Sequence, residues 1–119
     1  MNTTSRIAIA SALVFFATAA FACDYPKRAK VPIGAIATTE EMLAGQNSVK
    51  AYMAAMDEYL ACIDTEEKDA VVTLVDPSED ELARREAAIT KKYNAAVEEM
   101  EITAARFNEE VRAYKAQSN

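Results

Sequence analysis

The side chains best equipped for covalent chemistry in this chain are its two thiols, Cys23 and Cys62. A thiolate can act as a nucleophile when a neighbouring base activates it, and the commonest such base, imidazole, is missing because the chain has no His. The commonest metal ligand is missing for the same reason. Two uses remain. Pairing of Cys23 with Cys62 accounts for both residues at once, as an even count in a small exported protein leads one to expect. Acylation of Cys23 is the rival use, and it leaves Cys62 as an unpaired thiol in an oxidising space.

The carboxylates offer less. Asp57/Glu58, Glu66/Glu67/Asp69 and Glu98/Glu99/Glu101 are close enough in sequence for acid–base work or calcium binding. None has the Asp-rich, glycine-turned spacing of an EF-hand loop, and exposed helix faces are full of such pairs. Tyr52, Tyr59, Tyr93 and Tyr114 with Met53, Met56, Met100 and Phe107 have the makings of an aromatic, methionine-rich ligand groove. At helical spacing the same residues read first as core. Lys27-Arg28-Ala29-Lys30 is a basic patch on an acidic protein, expected to pair with carboxylates of the first helix rather than with phosphate. The reading is of a non-enzyme, with no catalytic residue, cofactor or metal site.

The elements that position the cysteines begin with an address. Arg6 precedes an apolar run from Ile7 to Phe21, and Ala20-Phe21-Ala22 stands directly before Cys23. A short basic lead, an apolar stretch and small residues two apart are what signal peptidase reads, so residues 1–22 are expected to be a signal peptide cut between Ala22 and Cys23. The run falls short of the roughly 20 apolar residues a spanning helix needs, and it ends in Cys23-Asp24 with Pro26 close behind. A lipoprotein signal fits poorly, because Ala20 and Phe21 replace the usual Leu and small residue before the cysteine. Removing the segment, with Arg6 its one charge, takes the formal net charge from −6 to −7 and leaves one small domain in the periplasm or outside the cell. So acidic a surface disfavours nucleic acid and anionic lipid, and membrane attachment is expected only if Cys23 is lipidated.

From 23 to 37 the chain carries Pro26, Pro32 and Gly34, a composition that resists helix and favours an extended arm. Thr38 with Glu41 then forms a capping box. Apolar residues follow at Met42, Val49, Tyr52, Met53, Met56, Tyr59, Leu60 and Ile63, in helical steps. Asp64 with Glu67 is either a second box or a polar stretch of one continuing helix. Val71–Val75 has strand propensity but lacks a partner run, so the helix is expected over 38–74. Asp76-Pro77 stops it, and Asp76 with Glu79 repeats the box for a second helix over 77–115. Its stripe is Leu82, Ile89, Tyr93, Val97, Met100, Ala104, Phe107, Val111 and Tyr114. Near-heptad spacing at Tyr93, Ala96, Met100, Thr103, Phe107 and Tyr114 suits a coiled-coil-like pair.

The fold class is therefore all-α: an antiparallel two-helix hairpin over 38–119, with its N-terminal arm clasped by one disulfide. For Cys23 to reach Cys62 the arm must double back along the first helix, past Tyr59, Glu58, Ala55, Tyr52, Ala51, Ser48, Gly45 and Ala44. Many of these are small, and Val31, Ile33 and Ile36 are expected to lie in the shallow groove they make. Gly45 is explained either by close approach of the arm or as a tolerated surface glycine.

The segments Cys23-Asp24-Tyr25-Pro26, Pro32-Ile33-Gly34, Ala37-Thr38-Thr39-Glu40-Glu41-Met42, Tyr59-Leu60-Ala61-Cys62 and Ala105-Arg106-Phe107-Asn108 resemble a group of small exported all-helical proteobacterial proteins of unassigned function. The resemblance implies location and shape, with both cysteines as its marks, and carries over no functional residue. The expected function is contact with an envelope protein or self-association. The alternatives are a lipid-anchored envelope protein and a small-ligand carrier.

Overall fold

The computed structural model describes residues 23–117, so the expected signal segment, with Ala22 at its cut, lies outside the described residues. The described chain is all-helical. An irregular arm leads into α1 (Thr39–Val72) and then α2 (Glu79–Gln117), and the two helices pack against each other. At 1.5 Å per residue they extend about 51 and 58 Å.

The start of α1 is set locally. Thr38 sits in extended conformation, its hydroxyl accepts from the Glu41 amide at 3.2 Å, and its own amide donates to Glu41 Oε2 at 2.7 Å. This is the expected capping box, which satisfies two amides that the helix leaves free. The Asp64–Glu67 stretch opens no second helix. It continues α1, with Lys68 donating to Asp64 at 2.6 Å one turn away and Thr65 bonding back to the Ala61 carbonyl. Val71 and Val72 complete the helix, and Thr73 ends it by returning its amide and its hydroxyl to the Ala70 carbonyl. The helix stops before Leu74, two residues short of expectation.

The second cap is not the expected one. Asp76 has φ 49°, the left-handed region, whereas an N-cap needs extended backbone. Ser78 takes the role: its Oγ accepts from the Glu81 amide and its carbonyl from the Leu82 amide. Accordingly α2 begins at Glu79 rather than 77 and reaches Gln117 rather than 115. Left-handed backbone costs an ordinary L-residue about 1–2 kcal/mol, less for Asp with its short polar side chain. Asp76→Val should therefore lower unfolding free energy by about 1–2 kcal/mol while Asp76→Gly stays within about 1 kcal/mol of the parent. Urea unfolding of the two variants checks this, and equal midpoints for both would count against it.

The buried stripe of α1 is Met42, Gly45, Val49, Tyr52, Met56, Leu60 and Ile63, in steps of three and four, with Met56 fully enclosed. On α2 only Ala96 and Thr103 are buried, while Ile89, Val97 and Met100 lie half-buried against the cluster. Two small residues allow close approach of the helices. The expected α2 stripe is corrected at its edges: Leu82 is 38% exposed and Tyr93 47%. The asymmetry has a simple source, since α1 is covered by both α2 and the arm. Contacts between the helices include the Thr39 and Tyr114 hydroxyls, Gly45 facing the Phe107 ring, and Arg85 forked onto the Glu67 carboxylate at 2.9 and 3.3 Å.

Candidate functional site: the clasped arm

Cys23 and Cys62 form a disulfide, with their Cα atoms 5.8 Å apart, and no cysteine is free. From that anchor the arm runs back along α1 past the small residues expected of its groove. The Tyr25 ring meets Tyr59 edge-on at 5.0 Å between centroids. The Lys30 amide donates to Ser48 Oγ at 2.8 Å. Pro32 then rests on Gly45, where an added Cβ would stand 2.4 Å from the proline Cδ. Of the two explanations for Gly45, close approach of the arm is the right one.

The arm touches α2 as well. At Gly34 its backbone lies so close to α2 that a Cβ would sit 1.8 Å from the Glu110 carbonyl oxygen. The Gly34 amide donates to Glu110 Oε2 at 2.6 Å, and Gln117 Nε2 donates to the Gly34 and Ala37 carbonyls at 2.7 and 2.9 Å. Amides of Ile36 and Ala37 both return to the Ile33 carbonyl, closing a turn. The site thus includes Gly34, Glu110 and Gln117, which sequence reasoning missed. A glycine between Pro32 and a helix cap looks like a spacer, and only the neighbour's backbone shows that a side chain has no room there.

This seating corrects the expected packing of the arm. Val31 is half-buried, but Ile33 is 63% exposed and Ile36 77%. The groove receives the backbone of the turn, at Gly34 and Ala37, and the two isoleucines on either side of Gly34 consequently face outward. An open groove of about 460 Å³ lies beside them, lined by Val31, Pro32, Ile33, Ile36, Ala44 and Gly45 among others. The basic patch is corrected too. Arg28 pairs at 3.3 Å with Glu99 of α2, not with the first helix, and at 80% side-chain exposure it contributes little.

The other candidates are dispersed. Tyr52 and Met56 are core, with Met53, Tyr59 and Met100 packed around them, while Tyr93 is half-exposed and Tyr114 bonds Thr39. Among the described residues the buried Tyr52 hydroxyl has no hydrogen-bond partner. Near it, burial first, then Tyr52, Glu99 and Tyr59, push the Tyr25 hydroxyl above its ordinary 10.0. The carboxylate groups separate into individual roles, Glu67 on Arg85 and Glu99 on Arg28. Among the described residues no three His, Cys, Asp or Glu side chains converge as metal ligands, and no helix is long and apolar enough to cross a membrane. No family model, curated protein or solved structure matches the chain.

Proposed function

We propose that this is an exported, non-enzymatic helical protein that acts through protein contacts in the periplasm or outside the cell. The observation that carries it is Ile33 and Ile36, two large apolar side chains held outward on a turn whose backbone is fixed by hydrogen bonds from Gln117 and to Glu110. Apolar surface presented on fixed backbone costs little further ordering when a partner covers it. The disulfide supports an oxidising compartment. In this reading the helices form an antiparallel, coiled-coil-like hairpin, supported by the Thr39–Tyr114 and Glu67–Arg85 contacts, and the chain belongs with the exported proteobacterial proteins its segments resemble.

The lipid-anchored alternative is disfavoured because Cys23 Sγ is engaged with Cys62, leaving no thiol for a thioether-linked lipid. A small-ligand carrier draws support from the groove volume, which falls within the range of about 300–1,000 Å³ typical of small-molecule sites. A photoreactive residue at position 36 of the protein expressed with its own leader should crosslink one dominant partner, or a second copy. The same residue at 91, exposed on α2 and 19 positions along the helix from the Glu110 contact, should not. Equal crosslinking at both positions, or none at 36, overturns the contact reading, and sedimentation separates a foreign partner from self-association.

A further inference from the structure

Glu66 Oε2 lies 3.2 Å from Cys23 Sγ. A disulfide sulfur carries no proton, so this contact is not a hydrogen bond, and Glu66 takes part in none of the ion pairs formed among the described residues. The carboxylate thus stands beside the clasp with no cation on it among the described residues. The nitrogen of Cys23 is no more than about 4 Å from its own Sγ in any staggered rotamer, and so within about 7 Å of that oxygen. A change of rotamer in the exposed Glu66 side chain spans the remainder.

We infer that removal of residues 1–22 turns the Cys23 nitrogen into an α-ammonium that pairs with Glu66, adding a charge lock to the disulfide. The inference rests on the export reading. In the cleavage, which a signal peptidase performs with water, the Ala22–Cys23 peptide bond breaks. The hydroxyl goes to the Ala22 carbonyl and a hydrogen to the Cys23 nitrogen, which takes a further proton from solvent. Before cleavage that nitrogen is a neutral amide, so the pair exists only in the processed chain.

Charged and titratable groups around the clasp include Asp24 and Tyr25 on the arm, Tyr59 and Glu67 on α1, and Arg85, Lys92 and Glu99 on α2. Arg85 is bound to Glu67, which leaves Lys92 as the competing cation. Pairing raises the α-amine above its ordinary range of about 7.7–8.0. With the carboxylate ionised, the stabilisation is fully present below about pH 7.7 and is lost as pH rises through the raised amine value.

The test uses the exported protein with its disulfide intact. Intact mass first establishes whether it begins at Cys23: an uncut leader overturns the export reading together with the lock, and a start at another residue overturns the lock alone. With a Cys23 start, selective α-acetylation should lower Tm by about 1–5 °C at pH 6.5, an effect that fades as pH rises through the raised amine value and is absent in Glu66→Gln. Retention of the full effect in Glu66→Gln, or no effect of acetylation at pH 6.5, overturns the lock and leaves the export reading standing.

Discussion

Cys62→Ser should lower the unfolding free energy by about 3–4 kcal/mol, the model-dependent chain-entropy value for a closed loop of this length. The bond spans 39 positions of a chain whose helices share a single thin core. For a domain this small, with a total stability of about 5–10 kcal/mol, that is a large share. The arm does not depend on the disulfide alone. Tyr25 on Tyr59, Pro32 on Gly45 and the Gly34–Glu110 bond act along its length, so the variant should still fold in the cold. Loss should concentrate at the free end, where Lys27, Arg28 and Lys30 become trypsin sites cut at least about tenfold faster as local opening becomes easier. Reduction of the parent should reproduce both effects. Unchanged urea midpoints and unchanged cutting in Cys62→Ser would falsify the view of this bond as the main constraint on the arm.

Gly34→Ala should cost nearly as much, about 3 kcal/mol, although it adds one methyl group. The added Cβ meets the Glu110 carbonyl oxygen at 1.8 Å and its carbonyl carbon at 2.6 Å, all helix backbone that cannot turn aside. The turn must lift, and it takes with it the charge-assisted bond to Glu110 and both bonds from Gln117. Overpacking of about 1–3 kcal/mol and a lost bond to a charged group of about 1.5–3 kcal/mol overlap here rather than add in full. Gly45→Ala is the informative comparison. Its Cβ collides with the Pro32 ring at 2.4 Å, a side chain of the irregular arm rather than the backbone of a packed helix. Alanine also gains about 1 kcal/mol of helix propensity over glycine. The expected order of urea midpoints is parent, then Gly45→Ala, then Gly34→Ala, and a Gly34→Ala midpoint equal to the parent's sinks the account of the seated turn.

Much of the helical frame was legible in the sequence because its signals are local. Thr38 and Glu41 form their box within one turn, and Met42 to Ile63 repeat with a period that only one conformation satisfies. The boundary near Asp76 was less legible because two residues there compete for the cap. Asp76 and Ser78 are both good cap types, and the left-handed turn at Asp76 decides in favour of Ser78. Which α2 positions are covered was legible only in part. Leu82 and Tyr93 belong to the apolar stripe by period, yet their exposure depends on how far the neighbouring helix face extends around α2.

The candidate site divides along the same line. Cysteine parity and the length of the arm sufficed to expect the Cys23–Cys62 bond, since chain reach and two thiols are properties of the sequence. The small residues at Ser48 and Gly45 likewise marked the track of the arm along α1. What the tertiary structure alone decided is everything that depends on α2 as a third neighbour. It seats the Gly34 backbone on Glu110, turns Ile33 and Ile36 outward, and takes Arg28 to Glu99. Those contacts join residues 71 to 83 positions apart in sequence, and no local pattern reports which backbone will lie against which. The sequence determined two helices and a tether, through periodicity, caps and thiol count. Packing decided which face of the tether meets the helices and which is left outward, because that choice follows from steric room at one glycine.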